Sequence, residues 1–183
     1  RLPLYLLRNE GEINMVDFIF PTEQNREDVL SFYGEFEKNG ETCIGFGGYK
    51  NFDKWLIGMN NRRAGKNLPE GYVRENFYLC YENGEMIGVF NLKFELTDYL
   101  FNYGGHIGYA VRPSKRNRGE ATEMLKKGLE IAKELKINPV LCVCDNDNHP
   151  SEKVIIKNGG VLENEIFDPE ENVTVKRYWI KAE

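Results

Sequence analysis

The sequence has little of what disulfide-rich, metal-dependent, membrane-spanning or nucleic-acid-binding proteins need. Its 183 residues include only four cysteines and two histidines, and no Cys-x-x-Cys pair occurs. We therefore predict neither a disulfide framework nor a metal site, and we expect a reducing cytosol as the compartment. No apolar run reaches the roughly 18 residues that a membrane-spanning helix requires. The net charge of −5 argues against a general nucleic-acid binder, which would need a broad positive surface.

The remaining composition is that of one packed domain. Hydrophobic residues make up 41% of the chain and aromatic residues 13%, and no repeat, low-complexity tract or linker divides it. We predict a single domain over residues 15–183. Residues 1–14 are interpreted as a non-native or upstream extension, because a strand-like segment follows Met15 at once. The Glu-Gly-Glu at positions 10–12 would also be encoded by a purine-rich stretch, as expected of a bacterial ribosome-binding site.

Hydrophobic periodicity and turn residues predict the element order β-α-α-β-β-β-α-β-α-β-β. The pair Asn83-Gly84 favours a type I′ turn between two strands. Cys142 and Cys144 alternate with apolar residues along a predicted buried strand, which favours core packing over a catalytic or metal-binding role. We predict an α/β (α+β) fold with a central mixed, mostly antiparallel sheet of about seven strands, flanked by about four helices.

The most informative stretch joins the strand 106–111 to the long predicted helix 119–136. Four basic residues lie in it: Arg112, Lys115, Arg116 and Arg118. Gly119 and Ala121 let a ligand approach the backbone where the helix begins, and a helix N-terminus is suited to a phosphate. The alternative is an ordinary solvated loop before a helix. Because neither Gly-Lys-Ser/Thr nor Gly-x-Gly-x-x-Gly occurs here, ATP, GTP and NAD are disfavoured.

Two motifs in this region resemble those of the GNAT superfamily of acyl-CoA-dependent N-acyltransferases. The pyrophosphate motif Gln/Arg-x-x-Gly-x-Gly/Ala is matched by Arg116-x-x-Gly119-x-Ala121. The second motif is matched by Asn148-His149-Pro150-Ser151, followed by Lys157-Asn158-Gly159. The flanking segments Ile107-Gly108-Tyr109 and Ala121-Thr122-Glu123 resemble the branch that acetylates the N-termini of ribosomal proteins.

The resemblance implies that acetyl-CoA is the co-substrate. In this superfamily the backbone of the strand pairs with the pantetheine arm, the amides of the turn hold the pyrophosphate, and residues of the last helix lie along the coenzyme. The matching residues in this chain are Tyr109, Ala110, Val111, Arg116, Asn117, Arg118, Gly119, Glu120, Ala121, Thr122, Asn148, Ser151 and Lys157.

The resemblance further implies an N-acetyltransferase that moves acetyl from acetyl-CoA to a primary amine by direct attack in a ternary complex. The acceptor is expected to be a small-molecule amine or a peptide N-terminus. The main alternative is a non-catalytic acyl-CoA-binding or sensor domain on the same fold. A nucleotide-phosphate binder with unrelated chemistry is a third interpretation. We also consider a homodimer formed through the terminal strands.

The catalytic residues are where the chain departs from the family pattern. Ile155 stands where many GNAT enzymes carry a tyrosine that protonates the leaving thiolate, so Tyr109 or a water is expected to supply that proton, unless the thiolate leaves unaided. His106 occupies a strand position where related enzymes often have a glutamate, and we predict it as the general base. The alternatives are a His106 that only hydrogen-bonds across the sheet, and a base role for Glu95, Asp98 or a water relay.

Overall fold

The structure is a computed structural model, and it describes residues 16–181. The extension predicted over residues 1–14, with its boundary at Met15, lies outside the described residues. The helices are α1 (Arg26–Lys38), α2 (Phe52–Ala64), α3 (Glu120–Glu134) and α4 (His149–Lys157). The strands are β1 (Asp17–Ile19), β2 (Glu75–Glu82), β3 (Glu85–Lys93), β4 (Ile107–Val111), β5 (Val140–Asp145), β6 (Val161–Asp168) and β7 (Val173–Ile180).

The strands form two antiparallel sheets, in the orders β1-β2-β3-β4 and β5-β7-β6. Successive residues of β3 point to opposite faces, so Val89 packs against α1 and α2 while Phe90 packs against α3. The sheet therefore separates two buried clusters. The α1–α2 cluster is mostly aromatic, and the α3 cluster continues beneath α4 onto β5 and β7.

Local sequence accounts for most of these elements. The predicted Asn83-Gly84 turn joins β2 and β3 with φ values of 50° and 80°, the two left-handed residues that a type I′ turn needs. In α3, Met124, Leu125 and Ala132 are fully buried at helical spacing. Gly128 lies on the same face, where a Cβ would come within 2.0 Å of the Phe90 ring.

The predicted α/β (α+β) class is confirmed, but the sheet differs from the prediction in one respect. The seven strands divide into two sheets because β4 pairs with β3 but not with β5. A hydrogen bond from the His106 N–H to the Leu141 carbonyl connects the two sheets just before β4, and from there β4 and β5 diverge. One boundary differs, and one element was not predicted. β3 ends at Lys93 rather than at Leu96, and a π-helical turn, Leu100–Gly104, precedes β4.

Candidate functional site

A groove of about 810 Å³ lies between the C-terminal half of β4 and the N-terminal ends of α3 and α4. It is lined by Glu41, Tyr109, Val111, Arg116, Asn117, Gly119, Glu120, Ala121, Thr122, Asn148, Pro150, Ser151, Lys153, Val154 and Lys157. The groove contains every residue predicted to bind the coenzyme except Ala110 and Arg118. Ala110 packs on the opposite face of the sheet, and Arg118 is an exposed side chain whose Nη2 donates to the Ser114 carbonyl.

β4 presents a free backbone edge to this groove. The Arg112 N–H donates to the Ile87 carbonyl (2.7 Å), and the His106 carbonyl accepts from the Lys93 N–H (2.8 Å), so even-numbered residues here pair with β3. Backbone polar groups alternate in direction along a strand. The groups of Tyr109 and Val111 therefore point away from β3. Within residues 16–181, β4 pairs with no strand on that side.

The N-terminus of α3 forms the second wall of the groove. Gly119 precedes the helix with φ +98°, a conformation that L side chains rarely adopt, and a Cβ there would meet nothing within 4 Å. The first amides of a helix have no partner within the helix and carry its partial positive charge. The Arg116 N–H donates to the Pro113 carbonyl (3.4 Å), and the amides that follow it in the turn 116–121 are directed into open space, as an anion site requires.

The N-terminus of α4 completes the groove. Asn148 caps the helix by accepting the Ser151 N–H on its Oδ1 (3.2 Å). Lys153 and Lys157, one helical turn apart, both line the groove and add positive charge. Lys153 was not predicted as a site residue, although its four-residue spacing from Lys157 was visible in the sequence.

Tyr109 crosses the groove from β4 to α4. Its hydroxyl lies 2.8 Å from the Ser151 Oγ, and the side chain is partly buried. Burial raises the pKa of Tyr109, so the phenol stays protonated near neutral pH and is able to donate a hydrogen bond. Ile155, where many GNAT enzymes carry the tyrosine, is only 1% exposed and belongs to the core.

The other predicted catalytic residues lie outside the groove. His106 precedes β4, where its backbone and ring both hydrogen-bond Leu141. Burial first, and then the charge of Lys93, lower the pKa of His106 to about 4. Glu95 and Asp98 are exposed residues between β3 and the π-helical turn. The structure therefore brings together the predicted coenzyme residues and Tyr109, but neither His106 nor Glu95.

A wider cavity of about 1150 Å³ lies at the other end of α3, bounded by Leu129, Pro139 and Trp179. Its rim carries exposed lysines and glutamates of α3 in alternation, and none of the predicted site residues. None of the described residues that line it belongs to a helix N-terminus, so we assign the site to the smaller groove.

Two further observations concern metals and membranes. Among residues 16–181, no three His, Cys, Asp or Glu side chains are grouped to hold a metal ion. In the same part of the chain, no helix is long and apolar enough to cross a membrane.

Comparison with known families identifies the domain. The family profile described as "Acetyltransferase (GNAT) domain" matches residues 51–161, which include both motifs. The chain belongs to the GNAT acetyltransferase family. This confirms the predicted family and enzyme class. Comparison with curated protein sequences gave no significant match.

Solved structures share the GNAT fold over nearly the whole chain. One is an acetyltransferase from Salmonella typhimurium that modifies the N-terminal serine of ribosomal protein L7/L12 (17% identity, TM-score 0.70, covering 92% of this chain and 96% of that one). Another is the ribosomal-protein-S5-alanine acetyltransferase of Vibrio fischeri (12%, 0.71, 94% and 96%). A third is the microcin C7 self-immunity acetyltransferase, in complex with acetyl-CoA and AMP (14%, 0.68, 92% and 93%).

Proposed function

We propose that this GNAT domain transfers the acetyl group of acetyl-CoA to a primary amine, by direct attack in a ternary complex. The observation that carries the proposal is the continuity of the groove. The turn and helix N-terminus at residues 117–121 lead directly to the β4 edge that has no strand partner among residues 16–181. A coenzyme with a pyrophosphate at one end and an amide-containing arm at the other fits that sequence of donors and acceptors.

Different residues of the groove would bind different parts of the coenzyme. The amides of residues 116–121 would hold the pyrophosphate, and the backbone of Tyr109 and Val111 would pair with the pantetheine amides as an added strand does. Asn148, Ser151 and Lys157 would lie along the arm and the phosphates. The microcin C7 self-immunity acetyltransferase, whose structure contains acetyl-CoA, supports this choice of co-substrate.

The thiols of the chain support direct attack rather than an acyl-enzyme. Burial raises the pKa of Cys43 and Cys142 to about 12 and that of Cys144 to about 11. Thiols with such values stay protonated at neutral pH and are poor nucleophiles. The acceptor nitrogen would therefore attack the thioester carbon itself, forming the C–N bond as the C–S bond breaks and the coenzyme leaves as a thiolate. The proton that the nitrogen loses would pass to water or to the general base.

We propose that Tyr109 assists the departing thiolate. Its protonated hydroxyl is paired with Ser151 at the groove wall and would donate a hydrogen bond to the developing negative charge. Proton transfer would then follow from the same hydroxyl or from water. Tyr109 would thereby take the role of the tyrosine that many GNAT enzymes carry at the position of Ile155.

For the acceptor we propose an α-amine, as at a peptide N-terminus. Two of the structural neighbours act on such amines, the N-terminal serine of L7/L12 and the alanine of S5. An α-amine has a pKa of about 7.7–8 and is partly neutral at physiological pH, whereas a lysine amine at about 10.4 is not. An α-amine therefore depends less on a base, and the assignment of a base to His106, Glu95, Asp98 or a water relay stays a prediction.

The test is a panel of amines assayed for acetyl-CoA-dependent thiol release, with the product identified by mass spectrometry. Peptides with a free N-terminus should be acetylated, and the same peptides with a blocked N-terminus and an internal lysine should not. The second candidate function, a non-catalytic acyl-CoA sensor, draws its support from Ile155. Tight coenzyme binding without thiol release across the whole panel would favour that candidate.

The cytosolic location and the homodimer stay predictions. The four cysteines, all among the described residues, are free thiols, as expected in a reducing compartment. Within residues 16–181, β6 pairs only with β7, which leaves its outer edge available to a second copy. Sedimentation velocity, compared between wild type and a Leu162→Lys variant of that edge, would test the homodimer.

A further inference from the structure

We infer that His106 is a positioning residue that fixes the point where β4 and β5 diverge. This inference rests on the proposed acetyl transfer, because it concerns the alignment of that same site. It gives His106 a role different from the base predicted from the sequence.

The contact between His106 and Leu141 closes a ring of two hydrogen bonds. The His106 N–H donates to the Leu141 carbonyl at 2.8 Å, as in a sheet ladder. The return bond runs from the Leu141 N–H to the His106 Nδ1, at 2.9 Å, so a side-chain atom takes the place of a backbone carbonyl. The backbone carbonyl of His106 accepts instead from the Lys93 N–H of β3, at 2.8 Å.

His106, which directly precedes β4, therefore hydrogen-bonds both β3 and β5. Its carbonyl extends the pairing of β3 with β4, while its ring and its N–H hold β5. A regular ladder would continue β4 onto β5 and close the gap between them. Because the ring nitrogen ends the ladder at Leu141, the outward-facing backbone of Tyr109 and Val111 pairs with no strand among residues 16–181 and faces the groove, where the Val111 carbonyl accepts only a long hydrogen bond from Arg116 Nε (3.4 Å).

The backbone before His106 is built for this close contact. Gly105 has φ +69°, and a Cβ there would come within 2.7 Å of the Leu141 carbonyl oxygen. A glycine is needed at that position on both counts. The approach of β4 to β5 is thus specified by two consecutive residues, Gly105 for the clearance and His106 for the hydrogen bonds.

The same geometry leaves His106 without a free lone pair. A ring nitrogen that accepts an amide hydrogen bond cannot carry a proton, so the proton of the neutral imidazole is on Nε2. To accept a proton, His106 would have to release Leu141 and open the junction. The positive Lys93 beside it, which faces Glu75 and Arg62 in turn, also opposes protonation of the ring.

Alignment at this point matters for the reaction, since an acyl transfer requires the amine and the thioester within a few tenths of an ångström of attack geometry. A junction shifted by one register step would change which groups of β4 face the groove. Loss of the His106 ring should therefore lower kcat by misalignment, without removing a proton acceptor.

The experiment compares His106→Asn with His106→Leu. Asparagine offers a side-chain oxygen that can replace Nδ1 as the acceptor for the Leu141 N–H, whereas leucine offers none. We expect His106→Asn to retain kcat within about threefold and to keep the wild-type pH profile, and His106→Leu to lose about tenfold or more, since a misplacement of about 1 Å can cost about a hundredfold in rate. Acetyl-CoA affinity, measured in parallel by calorimetry, should change less than kcat in both variants.

A second measurement does not depend on turnover. Nitrogen-15 spectra of the wild-type ring should show the Nε2–H tautomer at pH 8 and no titration down to about pH 5.5, one unit below the usual histidine pKa. The inference is overturned by a ring that titrates near pH 6.5, or by a folded His106→Asn variant that is as inactive as His106→Leu and has lost an ionisation. If wild type itself turns over no acceptor, the proposed function fails. The spectra would still show whether the His106 Nδ1 accepts the hydrogen bond from the Leu141 N–H.

Discussion

Glu41 and Arg116 form a two-point ion pair at the mouth of the groove. Arg116 Nη1 donates to Glu41 Oε1 at 3.1 Å and Nη2 to Oε2 at 2.5 Å, and the guanidinium stands over the Phe36 ring, 5.3 Å from its centre. The hydrogen bonds from Arg116 lower the pKa of the Glu41 carboxyl, which is thus ionised at neutral pH. The Glu41 carboxylate therefore binds Arg116, the arginine with which the motif would bind a phosphate.

Replacing this carboxylate should strengthen coenzyme binding. Glu41→Gln removes an anion that competes for Arg116 and repels the incoming phosphates. Because both partners are more than a third exposed, the pair is worth at most about 1 kcal/mol, so we expect the Kd for CoA to fall about two- to fivefold. Glu37→Gln, at the same end of α1 but paired with Lys50 outside the groove, is the matched control. Weaker CoA binding by Glu41→Gln would mean that the pair supports the groove instead.

The hydroxyl of Tyr109 is expected to act in the chemical step. Tyr109→Phe keeps the ring and removes only the group that meets Ser151, so kcat should fall about a hundredfold or more, as when one transition-state donor is removed, with little change in the Kd for acetyl-CoA. Tyr49→Phe, whose hydroxyl donates to Glu37 away from the groove, serves as the control. An unchanged kcat in Tyr109→Phe would leave the thiolate to depart with the help of water alone.

Short motifs pointed to residues that the structure places in one groove, whereas groove residues without a local sequence signal were missed. Gly119 and Ala121 lie in one turn, and Asn148 and Ser151 in another, so short motifs could identify them. Glu41 lies 75 residues before Arg116, and nothing around it in the sequence indicates a groove. The division into two sheets likewise depends on a ring atom of His106 meeting a strand 35 residues later, a contact that hydrophobic periodicity does not encode.

The packing of α3 on the sheet gives a stability test of the fold. Gly128→Ala would force a Cβ to within 2.0 Å of the buried Phe90 ring, and we expect a loss of about 1–3 kcal/mol in the free energy of unfolding. Gly34→Ala, in α1, meets nothing within 4 Å, and should be stabilising by about 0.5–1 kcal/mol. Denaturant titration of both variants checks the sign as well as the size. Equal effects from the two substitutions would contradict the helix placement.

The attachment of α4 to β7 should depend on pH. Glu152 accepts hydrogen bonds from Lys176 (2.8 Å) and Tyr178 (2.6 Å), and these lower the pKa of its carboxyl from 4.5 to about 2. A carboxylate with a lowered folded-state pKa stabilises the protein fully above the unfolded value, and that contribution disappears as the pH falls toward the folded value.

Glu152→Gln should therefore unfold more easily than wild type at pH 7, and the difference should shrink as the pH is lowered from about 4.5 toward about 2. Urea unfolding of the two proteins across this range provides the measurement. The exposed Lys127–Glu130 pair of α3 supplies the control variant Glu130→Gln, with little expected effect at any pH. A Glu152 difference that stays constant with pH would show that the charge of this carboxylate is not what holds α4.

The central claim, that acetyl-CoA binds at the N-terminus of α3, is tested most directly by calorimetric titration of acetyl-CoA into wild type and Ala121→Glu. The variant places a carboxylate in the groove at a first-turn position, where glutamate suits the helix, so folding should be preserved. Asn60→Glu, an equal charge change on the exposed side of α2, is the control. We expect wild type and Asn60→Glu to bind alike and Ala121→Glu to bind at least about tenfold more weakly, a cost of about 1.4 kcal/mol. Equal binding by all three proteins, or no binding by wild type, would contradict the account.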